Sequence, residues 1–139
     1  MSFRAGYNLD MTFTALELSP TELKRFRPSE ALRRNARARS TEMANRRRRA
    51  RAVASKAARL LKTEFGAKEV ILFGSLARRA GFTPWSDIDL AAKGIPPLRF
   101  YEAVGVVIGL SGEFKIDLID LDDCSASMRA NITTEGKSL

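Results

Sequence analysis

The sequence predicts a small α/β domain preceded by a long basic helix. No proline or glycine interrupts the chain between Pro28 and Gly66, and beyond Gly66 short apolar runs alternate with helical segments. Strands that alternate with helices in this way are typical of a small mixed sheet flanked by helices. The 139 residues of the chain suit one domain of ordinary size.

The N-terminal part of the chain predicts two helices. A short one is predicted over Leu18–Pro28, with Ser19 as its N-cap and Pro20 at its first helical position. A second helix, from Glu30 to Phe65, is rich in Ala, Arg, Leu, Glu and Lys, would span on the order of 50 Å, and is ended by Gly66.

The two halves of the long helix differ in their apolar surface. The second half carries one apolar stripe, so we expect it to pack on a core; the stripe is Val53, Ala57, Leu60, Leu61 and Phe65. The first half has little apolar surface beyond Leu32, Ala36 and Met43. We therefore predict two parts, an N-terminal helical extension over residues 1–65 and a core over residues 66–139.

Six elements are predicted after Gly66, from apolar runs of strand length and from helical segments between them. They are a strand over Val70–Phe73, one or two helical turns over residues 76–81, a strand over 86–94, a helix over 98–113, a strand over 114–121 and a closing helix over 122–137 with Asp122 or Asp123 near its cap.

The amino-acid composition excludes several classes of catalytic and metal site. The chain has no histidine, which excludes Ser-His-Asp and Cys-His nucleophilic sites and zinc sites that contain histidine. One cysteine, Cys124, forbids an internal disulfide and fits a reducing cytoplasm. No apolar run approaches a membrane span and the first residues do not resemble a secretory signal, so we expect a cytoplasmic protein without a membrane role.

The charge is concentrated in the N-terminal part. Residues 1–65 hold 16 Lys+Arg against 6 Asp+Glu, whereas residues 66–139 hold 8 against 10. The run Arg46–Arg51 has three interpretations: a dock for an acidic partner or a second copy of the chain, a solvated helix face, or a grip on nucleic acid phosphates. We favour them in that order, because no aromatic residue between Arg27 and Phe65 offers a platform for base stacking. Nucleic acid binding should therefore be weak and non-specific at most.

Paired carboxylates are the strongest chemical signal. Asp87 and Asp89 share one face of their predicted strand, and Ile88 and Leu90 share the other. Unpaired carboxylates are costly to bury, and a divalent cation such as Mg²⁺ or Mn²⁺ would relieve their repulsion. A later strand offers Asp117, with Asp120 as the alternative third carboxylate.

A Gly-Ser turn precedes the carboxylates. Gly74 and Ser75 follow the first strand and open the next helical turn, where backbone N–H groups and a hydroxyl would hold a phosphate. A lone Gly-Ser turn is usually only a turn, and a lone Asp-x-Asp is usually a solvated edge or a cap. The combination is much rarer, and it predicts a site that binds a nucleoside triphosphate and metal.

The motif order resembles one known superfamily. An apolar strand, Gly-Ser, 11 intervening residues, Asp-x-Asp and a later Asp flanked by apolar residues are similar to the polymerase β-type nucleotidyltransferases, and residues 72–94 look closest to the minimal nucleotidyltransferase (MNT) family. Arg79 departs from the glycine common there. The resemblance implies the polymerase β-like fold, triphosphate binding by Gly74 and Ser75, metal binding by Asp87, Asp89 and Asp117, and proton acceptance by Asp117.

The resemblance also implies a function. Minimal nucleotidyltransferases are commonly paired with a HEPN-domain protein, and in several pairs they neutralise a HEPN RNase toxin by attaching AMP from ATP. We therefore expect a Mg²⁺-dependent protein adenylyltransferase that acts as the antitoxin of such a pair, with self-association through the N-terminal helix also open. The alternatives are a non-catalytic antitoxin that acts by binding alone and a small-molecule nucleotidyltransferase of the aminoglycoside-modifying type.

Overall fold

A computed structural model describes residues 28–78 and 80–139, so Arg79 and the short helix predicted over Leu18–Pro28, apart from Pro28, lie outside the described residues. The predicted architecture is confirmed: a small mixed sheet flanked by helices, with a long helix leading in. In chain order the elements are α1 Pro28–Phe65, β1 Glu69–Phe73, β2 Ile88–Lys93, α2 Pro97–Ile108, β3 Ile116–Asp120, α3 Ala126–Glu135 and β4 Lys137–Ser138.

The long helix forms because nothing in its sequence interrupts it. Helix α1 runs for 38 residues and ends before Gly66, whose φ of 73° is a left-handed conformation that glycine adopts without strain. Its inward stripe is buried in the main core and consists largely of alanine; the stripe is Ala50, Ala54, Ala57, Ala58, Leu61 and Phe65. Met43, one of the few apolar residues of the first half, also packs against this core.

The chain divides into two compact units, Met1–Ser40 and Thr41–Leu139. In the first unit, the described part of α1 is mostly exposed, and Leu32 is 66% exposed. The second unit contains the whole sheet and its core. Among the described residues, no helix combines the length and the apolar character that crossing a bilayer requires.

The sheet has the strand order β3-β2-β1-β4. Strand β1 is antiparallel to both β2 and β4, whereas β2 and β3 are parallel. Because side chains alternate along a strand, Ile88 and Leu90 enter the main core together with residues of α1 and α2. The opposite face carries a smaller cluster of Ile71, Ala91, Leu121 and Ile132, the last contributed by α3. Asp89 alternates with Ile88 and Leu90, and therefore lies on this second, less covered face.

Three local predictions need correction, and one strand was missed. The helical turns predicted over residues 76–81 amount, among the described residues, to a single hydrogen-bonded turn after Gly74, and the carbonyls of Leu76 and Arg78 accept hydrogen bonds from the Arg47 side chain. The third predicted strand begins later, at Ile116. Strand β2 begins at Ile88, so Asp87 lies immediately before it. The two-residue strand β4 was not predicted.

The cap of the closing helix was also predicted wrongly. Ser125, and neither Asp122 nor Asp123, is the N-cap of α3, since its Oγ accepts a hydrogen bond from the Met128 amide at 3.2 Å. Asp122 instead accepts from the Gly94 amide at 2.9 Å, which ties the end of β3 to the end of β2. These bonds fix α3 over the second face of the sheet.

Candidate active site

The starts of β2 and β3 and the end of β1 meet at a single edge of the sheet. The parallel register of β2 and β3 places Asp89 opposite Asp117, and the antiparallel register of β1 and β2 places Phe73 opposite Asp89. The Ile88 amide donates to the Lys115 carbonyl at 2.9 Å and fixes this register at its first rung. Residues 28 positions apart in the sequence thus come to one place on the second face of the sheet.

A lysine that sequence reasoning missed lies among the carboxylates. Nζ of Lys115 is 3.9 Å from Oδ2 of Asp87 and 3.8 Å from Oδ1 of Asp117. Lys115 is two positions before Asp117, so the alternation of side chains in a strand could have indicated that both share one face. The side chain of Lys115 is 69% exposed, and these ion pairs are therefore individually weak.

Asp89 has the most perturbed environment of the three carboxylates. Burial, followed by the charges of Asp117 and Asp87, raises its pKa from 3.8 to about 6, although Arg78 and Lys115 oppose this shift. Among the described residues, no hydrogen bond or ion pair compensates the ionised Asp89 side chain. A half-buried, ionised carboxylate without a compensating partner would be stabilised by binding a cation.

Gly74 lies directly against Asp89. Its φ is 75°, and a Cβ at this position would overlap Oδ2 of Asp89. The turn that follows is closed by bonds from the amides of Ala77 (3.1 Å) and Arg78 (3.3 Å) to the Gly74 carbonyl. No acceptor among the described residues takes the amides of Ser75 and Leu76, so the turn keeps donors for an anion although it opens no helix.

The two candidates for the third carboxylate are in different situations. Asp117 faces Asp89 across the parallel pair. Asp120 lies opposite Ala92 at the far end of β3, where its Oδ1 accepts from the Asp122 amide at 3.0 Å. Because Asp120 is three residues from Asp117, it points to the other side of the strand. The geometry groups Asp117, and not Asp120, with Asp87 and Asp89.

The donor set fits a hard divalent cation in its chemistry. Carboxylate oxygens are the ligands that Mg²⁺ and Mn²⁺ prefer, and the Lys115 ammonium lying between Asp87 and Asp117 marks a position where positive charge is stabilised. Within residues 28–78 and 80–139, no three carboxylates converge closely enough to hold one ion as they stand. Lys115 would therefore have to move aside as a cation binds.

A groove runs along the second face beside this site. It has a volume of about 280 Å³ and lies between the end of β1 and helix α3. Its lining combines apolar and polar side chains: Phe73, Ser125, Ser127, Met128, Asn131, Ile132 and Glu135. Phe73 precedes Gly74 and pairs with Asp89, so the groove begins next to the carboxylates.

The chain matches the family model described as polymerase beta, nucleotidyltransferase, over residues 55–139. It therefore belongs to the polymerase beta nucleotidyltransferase family, and the resemblance read from the Gly-Ser and Asp-x-Asp motifs is confirmed. A comparison with curated protein sequences found no match.

Solved structures with a similar fold include a minimal nucleotidyltransferase, which is 27% identical at a TM-score of 0.50 over 70% of this chain and 95% of that one. A mutant of the MntA toxin–antitoxin complex is 26% identical at a TM-score of 0.51, over 61% of this chain and 69% of that one. A toxin–antitoxin with AMP-PNP is 24% identical at a TM-score of 0.51, over 61% of this chain and 70% of that one. This last likeness concerns the fold alone.

Proposed function

We propose that this protein transfers AMP from ATP to a hydroxyl group of a protein partner, a HEPN-type toxin, and thereby acts as its antitoxin. The observation that carries the proposal is the grouping of Asp87, Asp89 and Asp117 beside the Gly74 turn. Family membership supports nucleotidyl transfer, and the MntA toxin–antitoxin neighbour supports a toxin as the partner.

In this proposal the residues of the chain have separate tasks. The Ser75 hydroxyl and the amides of Ser75 and Leu76 hold the triphosphate. Asp117 accepts the proton of the attacking hydroxyl, whose oxygen forms a bond to the α-phosphorus as the bond to the β-phosphate oxygen breaks and pyrophosphate leaves. Mg²⁺ or Mn²⁺, held by Asp87, Asp89 and Asp117, would supply charge neutralisation at the attacking and leaving oxygens.

The groove beside Phe73 suits the nucleoside of ATP. Phe73 and Met128 offer apolar surface to the base, and Asn131 offers both a donor and an acceptor, the pairing that recognises adenine edges elsewhere. The side chains of Ser127 and Asn131 have no hydrogen-bond partner among the described residues. A nucleotide whose phosphates lie at Gly74 would have its base within reach of this groove.

The partner needs a surface other than the centre of the arginine run. Guanidinium groups at Arg33, Arg34 and Arg39 are exposed in the unit Met1–Ser40, and we assign them to an acidic surface of the partner. This docking surface is smaller than the one expected from the sequence, because most of the run Arg46–Arg49 is bonded within the fold.

One observation favours the binding-only alternative. Lys115 lies 3.9 Å from Asp87 and 3.8 Å from Asp117, so a cation of the chain itself offsets part of their charge, as expected of an antitoxin that keeps the carboxylates only for its fold. The raised pKa of Asp89 weighs against that alternative, because an unused carboxylate gains nothing from destabilising burial.

Co-expression with the protein encoded beside it, followed by mass spectrometry of that neighbour, tests the proposal. We expect added AMP with the wild type and with Asp120→Asn, and none with Asp89→Asn or Asp117→Asn. A neighbour that is neutralised by the wild type yet never gains AMP would establish the binding-only antitoxin. A neighbour modified equally by all four forms would show that these carboxylates are not the site.

A further inference from the structure

Three of the four arginines Arg46–Arg49 of α1 bond to other segments of the chain. Arg46 and Arg47 are half-buried, and Arg49 is paired with Glu113 of the segment before β3. Arg48 is exposed and donates to Asn45 of its own helix at 2.8 Å. Four consecutive arginines on a helix point in four directions, yet three of these guanidinium groups find partners in other segments of the chain.

Arg47 holds the turn that follows Gly74. Its Nη2 donates to the carbonyl oxygens of Leu76, at 3.3 Å, and of Arg78, and its guanidinium carbon lies 5.8 Å from the centroid of the Phe82 ring. The turn thus has its carbonyls bonded from the helix side, and the amides of Ser75 and Leu76 stay without an acceptor among the described residues. This polarity is what a phosphate-binding turn requires.

Arg46 and Arg49 hold the segment that leads into β3. Arg49 makes a bidentate pair with Glu113, with Nε 3.1 Å from Oε1 and Nη2 2.7 Å from Oε2. This hydrogen bonding holds the pKa of Glu113 below its ordinary value. The Arg46 guanidinium lies 4.7 Å from the centroid of the Phe114 ring. Lys115 follows directly, and Asp117 two residues later.

We propose that the arginine run is an internal brace of the nucleotide site, and that Arg47 is a positioning residue which keeps the Gly74–Ser75 turn open toward a triphosphate. Helix α1 contacts both segments that carry the site, the turn through Arg47 and the start of β3 through Arg46 and Arg49. The helix therefore sets their separation. This inference rests on the proposed function, since the ligand of the turn is the triphosphate of that reaction.

The matched pair Arg47→Lys and Arg48→Lys tests the brace. Both keep the charge and the helix, but lysine cannot bond both carbonyls of the turn in the planar geometry of arginine. We expect Arg47→Lys to weaken binding of a non-hydrolysable ATP analogue about tenfold and to raise KM for ATP similarly, the loss expected for a hydrogen bond from a charged group. Because Arg47 does not touch the reacting atoms, kcat at saturating ATP should change little. Arg48→Lys should leave these values at the wild-type level.

Hydrogen exchange of the turn amides separates this inference from the proposed function. In the absence of nucleotide, the amides of Ala77 and Arg78 should exchange faster in Arg47→Lys than in Arg48→Lys. If the wild type binds no ATP analogue, the proposed function fails, but this exchange difference would still establish that Arg47 holds the turn. The inference would be overturned by equal amide exchange in the two variants. It would also be overturned if Arg47→Lys lost ATP binding only in proportion to its unfolded fraction.

Discussion

Gly74 and Asp89 are packed so closely that any side chain on Gly74 would overlap the Asp89 carboxylate. The turn that offers amides to a phosphate and the carboxylate suited to a cation are thus in direct contact. The contact depends on glycine for two separate reasons, its positive φ and the lack of a Cβ.

Comparing Gly74→Ala with Gly66→Ala should separate the effect of the positive φ at Gly74 from the effect of its missing Cβ. Both glycines have nearly the same φ, 75° and 73°, but nothing lies within 4 Å of a Cβ at Gly66. Gly66→Ala should cost about 1–2 kcal/mol of unfolding free energy, the backbone strain alone. Gly74→Ala should cost more and abolish ATP binding, as measured by urea unfolding and calorimetry. Equal losses of stability would show that Asp89 does not press on the turn.

Asp89→Asn should stabilise the metal-free protein in a way that depends on pH. The pKa of Asp89 is about 6 in the fold against an ordinary 3.8, so the folded state holds this proton more tightly than the unfolded state. Stability of the wild type should therefore fall as pH rises from about 4 to about 6, relative to Asp89→Asn. Because the group is half-exposed, we expect a difference of about 1–2 kcal/mol above pH 6.

Urea unfolding in EDTA at a series of pH values would measure the Asp89 effect, with the exposed Asp123→Asn as control. Added Mn²⁺ should flatten the pH dependence of the wild type and leave that of Asp89→Asn unchanged. A pH profile of Asp89→Asn that coincides with the wild type in EDTA would contradict the assigned environment.

Lys115→Met should strengthen the binding of divalent cations. The ammonium of Lys115 contacts Asp87 and Asp117, and a cation must displace it. Removing an exposed competing charge should tighten Mn²⁺ binding by a few-fold, about 2- to 5-fold from ion pairs of this kind. Titration calorimetry at low ionic strength measures the effect, and Lys137→Met on β4 serves as control. Weaker Mn²⁺ binding by Lys115→Met would mean that the lysine helps to shape the site.

Asn131→Ala should weaken the recognition of ATP without affecting its phosphates. Asn131 lines the groove beside Phe73, whereas Thr134 is exposed on the same helix and does not line it. We expect KM for ATP to rise about 5- to 10-fold for one lost hydrogen-bonding group, with binding of inorganic tripolyphosphate unchanged. Thr134→Ala should match the wild type in both assays. If tripolyphosphate binding falls together with ATP binding, Asn131 supports the fold of the site and does not recognise the base.

Local sequence pattern accounts for most of the fold and for the placement of Asp87 and Asp89, whereas Asp117 was preferred to Asp120 because of its mid-strand position and the family resemblance. The uninterrupted helix over Pro28–Phe65, the buried strand at Val70–Phe73 and the alternation of Ile88 and Leu90 with Asp89 all follow from propensity and periodicity. These patterns are carried by neighbours in the chain, so no tertiary information was needed to find them.

Contacts between distant segments account for what the sequence did not predict. The side chain of Arg47 bonds to the carbonyls of Leu76 and Arg78 in the turn after Gly74, and the Gly94 amide bonds Asp122 away from the cap of α3. Lys115 acquires its importance only when β3 lies beside β2. Each of these outcomes depends on an alignment of segments that residue order alone does not specify.

The continuity of α1 bears on how the protein can be shortened. The family match begins at residue 55, in the middle of that helix, after Ala50 and Ala54, which are fully buried in the main core. A fragment trimmed to the matched region would lose those two residues of the main core together with the arginines at 46, 47 and 49. A fragment meant to keep the whole main core and the arginine contacts with Leu76, Arg78 and Glu113 must therefore begin before Arg46, upstream of the residue at which the family match starts.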